Sequence, residues 1–122
     1  MQDFRELQVW QQARRLTVLV YQSTSEFPVS EEFALKSQLR RASVSICANV
    51  AEGRGRYGER EFRQFLNVAL GSATELECEL LIAGDLGFLS VKSCESLIDR
   101  VSEIRRMLNA LIKRLSAKSP IS

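Results

Sequence analysis

Apolar residues return every three or four positions along most of this chain, with polar residues filling the gaps. That period belongs to helices rather than strands. Leu7, Trp10, Ala13, Leu16 and Val20 share one face and predict a first helix over about 4–23. Pro28 and Ser30 interrupt the pattern. Ser30 is placed to cap a second helix over about 31–52, with Glu31 and Glu32 in the first turn, where the helix dipole favours acids. Gly53 is the expected stop. A third helix is predicted over about 59–86, on Phe62, Phe65, Leu66, Ala69, Ala73, Leu76, Leu80 and Ala83, with Gly87 as its C-cap. Ser90 can cap a fourth over about 91–116, where Leu97, Val101, Ile104, Leu108, Leu111 and Leu115 make a heptad seam. The β-branched run at Thr17–Tyr21 is short and sits inside a helical period. The expected fold is all-α: one domain, residues 1–122, an antiparallel up-and-down four-helix bundle with short connections.

The second helix has an unusual pattern. Residues 42–51 carry no charge, yet Gln38, Arg41, Ser45, Asn49 and Glu52 recur at steps of three and four and fall on one stripe. Buried polar groups need partners, since each orphan costs ~1–3 kcal/mol. A hairpin about Gly55 would bring Arg41 near Glu75, Lys36 near Glu79, and Asn49 and Glu52 near Arg63 and Arg60. The stripe therefore predicts a structural polar network of Gln38, Arg41, Ser45, Asn49, Glu52, Glu75 and Glu79. Val44, Cys47, Ala48 and Ala51 lie largely opposite Leu39, Ala42 and Ile46, so one side can serve the core and the other a neighbouring subunit.

Composition narrows the classes. Apolar content of 45% and charged content of 26% are ordinary for a globular chain. There is no apolar run long enough for a membrane span, and the charged start Met-Gln-Asp-Phe-Arg-Glu precedes no signal-type apolar block. No membrane partner and a cytoplasmic location are expected. Cys47, Cys78 and Cys94 are far apart, with no C-x-x-C pair and no histidine. They read as reduced, partly buried small side chains, and no metal or other cofactor is expected. The net charge is only +2 but uneven: Glu75, Glu77, Glu79 and Asp85 crowd residues 65–90, while basic residues crowd 54–63 and 100–118.

Several catalytic patterns fail on inspection. Gly53, Gly55 and Gly58 spell G-x-G-x-x-G, but that fingerprint works between a strand and a helix, and here it follows a helix. Glu52, Glu75 and Glu79 could suggest a di-iron site, which would need Glu-x-x-His pairs. Serines lack a histidine base, and no P-loop is present. A non-enzymatic role is expected, with no catalytic residue. The arginines point elsewhere. Arg54, Arg56, Arg60 and Arg63 surround a glycine loop containing Tyr57. Arginine matches phosphate oxygens bidentately, and tyrosine can stack on a base. Arg105, Arg106, Lys113 and Arg114 form a second basic group. Both groups are candidate nucleic-acid contacts, and both are equally readable as solvated helix ends.

The stretch Gln38-Leu-Arg-Arg-Ala-Ser-Val-Ser-Ile46 with Ala48-Asn-Val-Ala-Glu-Gly53 resembles the signature of the bacterial four-helix-bundle proteins encoded in 23S rRNA intervening sequences. Phe4-Arg-Glu-Leu-Gln-Val-Trp10, Phe62-Arg-Gln-Phe-Leu66, Gly71-Ser72, Glu75-Leu76-Glu77 and Leu86-Gly-Phe-Leu89 fit the same pattern over about residues 4–115. Arg40, Arg41, Asn49, Glu52 and Gly53 match the signature, in chiefly architectural roles; Cys47 departs from it. The resemblance implies a non-enzymatic bundle that assembles into a ring-like homopentamer. For the accessory branch, which includes the accessory variability determinant of diversity-generating retroelements, it implies binding to RNA or DNA and to a reverse transcriptase. Two functions follow as expectations: an oligomeric scaffold that binds nucleic acid through repeated basic patches, or a protein-interaction module without direct nucleic-acid binding.

Overall fold

Asp3 opens the described chain by accepting a hydrogen bond from the Arg5 amide at 2.8 Å, which starts a 3₁₀ turn at Phe4–Glu6. The computed structural model describes residues 3–56 and 58–117. Leu7 is extended (φ −72°, ψ 126°), so the first α-helix, α1, runs Gln8–Thr24 and does not begin at Phe4 as its periodicity suggests. The buried face of α1 is Val9, Ala13, Leu16, Val20 and Thr24. Trp10 and Leu7 are only half-buried, because the break at Leu7 rotates the helix relative to the predicted face.

The second helix, α2, spans Leu35–Arg54. Ser30 does not cap it. Pro28 launches a 3₁₀ turn at Val29–Glu31 that absorbs Ser30, and the Leu35 amide donates instead to the Glu31 carboxylate at 3.3 Å. Gly53 does not end α2 either. It is buried inside the helix, where an added Cβ would stand 2.6 Å from Phe65 Cβ and 3.1 Å from the Phe62 ring. It is a close-approach glycine, and the chain leaves the helix at Gly55.

Gly58, at φ 83°, turns the chain into α3, Glu59–Asp85. The far end of α3 closes as a Schellman motif. Gly87 sits at φ 77°, its amide donates to Gly84 O at 3.1 Å, and the Phe88 amide donates to Ala83 O at 3.0 Å. Phe88 then packs on Phe27 with ring centroids 5.4 Å apart. Ser90 caps α4, Val91–Ala117, by accepting from the Ser93 amide at 3.1 Å, as its position predicts.

All six residues of the heptad seam on α4 are buried, alongside Leu39, Ala42, Ile46 and Val50 of α2 and Leu66, Ala69, Ala73, Leu76 and Leu80 of α3. At ~1.5–3 kcal/mol for each large aliphatic side chain removed from water, this shared core holds the helices together. Consecutive helices run antiparallel. Thr17 of α1 donates to Ser43 O of α2, the Ser45 and Ser72 hydroxyls meet at 2.8 Å between α2 and α3, and Arg105 of α4 reaches Glu77 of α3 at 2.8 Å. α1 also packs on α4, which closes the bundle. Among the described residues there is no strand, and no helix is long and apolar enough to cross a membrane.

Candidate nucleic-acid interface

Antiparallel packing brings the start of α1, the end of α2, the start of α3 and the end of α4 to one end of the bundle. Counted from the level of the Ser45–Ser72 contact, that end (residues 3–16, 46–71 and 105–117) holds eleven Lys/Arg against five Asp/Glu. The opposite end (residues 17–45 and 72–104) holds five against ten. A chain of net charge +2 is therefore polar along its axis, about +6 at one end and −5 at the other, with Lys118 outside the described residues.

The basic end contains a cleft of about 570 Å³. Gly53, Arg54 and Arg56 line it from α2, Gly58, Glu59 and Phe62 from the turn and start of α3, Leu111, Arg114 and Leu115 from α4, and Leu7 from the extended link. Phe62, Leu111 and Leu115 are buried, so the floor is apolar and the rim carries guanidinium groups. Arg54 lies over the Phe62 ring at 5.6 Å and Arg56 over the Phe65 ring at 5.2 Å. Arg56 also meets the Glu52 carboxylate at 2.6 Å. Rings beneath the two guanidinium groups restrict them to flat poses, which lowers the entropy lost when they bind a partner.

The two basic groups seen in the sequence separate and recombine here. Arg54, Arg56 and Arg114 share the cleft. Arg60 is exposed on the first turn of α3, Lys113 is exposed beside Arg114, and Arg63 donates to Ser116 Oγ at 3.3 Å. Arg105 and Arg106 are engaged elsewhere, Arg105 with Glu77 at 2.8 Å and Arg106 with Glu103 at 2.7 Å. Tyr57 lies outside the described residues.

The polar stripe of α2 faces α3, but its partners differ from those expected. Ser45 meets Ser72, Asn49 donates to Ser45 O at 2.8 Å and to its hydroxyl at 3.1 Å, and Glu52 pairs with Arg56 on its own helix. Gln38 and Arg41 are exposed. Lys36 pairs with Glu32 at 2.9 Å, and neither the Arg41–Glu75 nor the Lys36–Glu79 pair forms among the described residues. The cause is register. Ser45 faces Ser72 and Gly53 faces Phe65, a residue or two beyond the assumed pairing. Glu79 is left 7% exposed, and its Oε1 has no partner among the described residues. Burial, and then the charge of Glu75, push its carboxyl up to about 7.

The cysteines are free thiols. Cys94 is buried and donates to Leu80 O at 3.4 Å, Cys47 is half-buried beside Thr17, and Cys78 is exposed rather than partly buried. Burial raises the thiol pKa of both Cys47 and Cys94. No cluster of His, Cys, Asp and Glu among the described residues could hold a metal ion. Periodicity also passed over the outer face of α1. Trp10 counts there as a core residue, yet Arg14 lies over its ring at 5.5 Å at the edge of a second cleft.

Comparison with known proteins gives two results. The family model described as 23S rRNA-intervening sequence protein matches residues 5–110. A solved structure from Bacteroides thetaiotaomicron VPI-5482, described as a protein with unknown function from the S23 ribosomal protein family, is 26% identical. It superposes with a TM-score of 0.78 over 86% of this chain and 98% of its own. No curated protein matches.

Proposed function

We propose, for a chain that belongs to the 23S rRNA-intervening sequence protein family, that the basic end of the bundle binds nucleic acid and that the protein is a non-enzymatic scaffold. The observation that carries this reading is the cleft in which Arg54, Arg56 and Arg114, from opposite halves of the sequence, surround an apolar floor. Guanidinium groups bind phosphate oxygens by paired, charge-assisted hydrogen bonds. Glycines at the rim let backbone approach the same phosphate. The acidic end repels the polyanion and so orients it on approach.

The scaffold is proposed to be a homopentamer. The outer side of α2 and the adjoining side of α3 expose Val44 (43%), Val68 (53%) and Ile82 (45%), and Ala48 is exposed between polar residues. A ring of copies covers this face and repeats each basic end, so weak phosphate contacts combine through effective concentration. Ala48→Glu places an unpaired charge in that contact. Sedimentation equilibrium is expected to show smaller species for the variant, and wild-type assemblies would show that the face is not an interface.

The binding reading is tested by titrating labelled RNA and DNA at several salt concentrations. A steep log-linear fall of affinity with salt is expected, and substituting Arg54, Arg56, Arg60 and Arg63 by Gln should flatten its slope. An unchanged slope removes this end from the interface. Affinity for a protein such as a reverse transcriptase, without any salt-sensitive nucleic-acid binding, would replace the proposal with a protein-interaction role.

A further inference from the structure

The outer face of α1 carries a second basic site of a different kind. Between Gln8 and Thr24 the helix has two arginines, Arg14 and Arg15, and no acid. Neither arginine forms an ion pair among the described residues. With Arg5, Trp10, Val18 and neighbouring side chains they line a cleft of about 470 Å³. Trp10 is fixed within it. Phe4 meets the indole edge-on at 5.0 Å, and the Arg14 guanidinium lies over its ring at 5.5 Å. Further along the helix Val18 is 52% exposed and Tyr21 42% exposed, and Tyr21 carries Arg40 over its ring at 4.4 Å. Two arginine-capped aromatic rings thus stand eleven residues apart on one helix, about 16 Å at the helical rise.

We propose that this face binds an unpaired nucleic-acid strand, with bases stacking on the Trp10–Arg14 and Tyr21–Arg40 platforms and Arg15 meeting the phosphate between them. The inference rests on the reading that the protein binds nucleic acid and specifies which form this surface takes. The chemistry selects the strand. A duplex offers phosphates but keeps its base faces stacked inside, so it cannot use a ring platform. An unpaired strand offers both, and base–aromatic stacking tolerates any sequence. A guanidinium already flat on a ring presents its other flat, weakly hydrated face to a base. An acidic peptide would meet Arg14 and Arg15 but has nothing to lay on the platforms.

Trp10 is the single tryptophan, so its fluorescence reports on this cleft alone. The experiment titrates full-length protein with a short oligouridylate, a duplex of equal length and polyglutamate, following Trp10 emission together with anisotropy of the labelled ligand. Oligouridylate is expected to quench Trp10 and the duplex to leave it unchanged. Replacing Arg14 and Arg15 with Gln is expected to weaken oligouridylate by about tenfold or more and to flatten its salt slope by about 1.4 for two lost phosphate contacts. Duplex binding should be nearly unaffected. Arg14→Lys should keep the slope but lose affinity and quenching, because the charge remains and the plane does not. Oligouridylate binding that leaves Trp10 unchanged and is indifferent to the Gln variant would overturn this inference while the basic-end reading stands. Quenching by polyglutamate in place of oligouridylate would assign the cleft to acidic peptide. Absence of anisotropy change with either nucleic acid would defeat both readings together.

Discussion

The two ends of this bundle use the same four helices and are built differently. At the basic end α2 and α3 approach closely enough that only glycine fits at position 53, and the phenylalanines beneath hold Arg54 and Arg56 flat on the surface. At the acidic end the turns are closed by backbone bonds and caps, Gly87 in a Schellman motif and Ser90 at the start of α4. That end also retains a carboxyl, Glu79, buried without a partner. One end is arranged to hold charge in place for an outside partner; the other satisfies its own backbone and repels anions. The difference teaches that net charge is a poor guide to function when half of every helix belongs to each end. A total of +2 conceals two poles of opposite sign.

The largest effect should come from setting one pole against the other. Replacing Arg54, Arg56 and Arg114 by Gln is expected to weaken nucleic-acid binding by about a hundredfold near physiological salt, the loss of about three phosphate contacts. Neutralising Asp85, Glu95 and Asp99 at the other pole should change it by less than about threefold, since screening weakens charges beyond a Debye length. Anisotropy titrations on the two variants compare the ends directly, and equal losses would dissolve the distinction.

Two glycine substitutions sharpen the comparison in stability. Gly53→Ala must push α2 away from Phe65 and is expected to cost ~2–3 kcal/mol, as overpacking does. Gly87→Ala meets no atom within 4 Å and should cost only ~1 kcal/mol, for its positive φ. Urea unfolding of both variants measures the pair, and a reversed order would contradict the close-approach role given to Gly53.

Glu79 gives the smallest and most conditional effect. Its folded pKa of about 7 lies above the ordinary value of 4.5. Between those values the unfolded chain has released a proton that the native state still holds, so stability falls as pH rises through that window and levels off above it. Glu79→Gln should remove this dependence and stabilise the protein at pH 8 by ~1–2 kcal/mol. Denaturation midpoints for the wild type that do not fall between pH 5 and 8 would show that Glu79 finds a partner in solution.

Much of the architecture was legible because its signals are local. The four-three spacing from Leu97 to Leu115, the Ser90 cap and the Gly87 turn each depend on residues within a turn or two, and each forms as expected. Gly53 was misread because a glycine that ends a helix and one that admits a neighbouring helix look alike until Phe62 and Phe65 are placed against it. Ser30 was misread because the chain after Pro28 turns once as a 3₁₀ segment before α2 begins. The site was legible only as fragments. That Arg54 and Arg56 share a cleft with Arg114 depends on which helix ends meet in space. That Trp10 stands half-buried under Arg14 depends on the small rotation of α1 after Leu7. The paired acids and bases expected along the α2 stripe failed by a residue or two of register, a margin that hydrophobic spacing does not fix.

The central claim is that nucleic acid meets the basic end. It is tested most directly by crosslinking a photoreactive oligonucleotide to the full-length protein and mapping the adducts by mass spectrometry. Adducts concentrated in residues 54–63 and 113–117, and on the outer face of α1, are the predicted result. Adducts centred on residues 72–104, or spread evenly over both ends, would contradict the account.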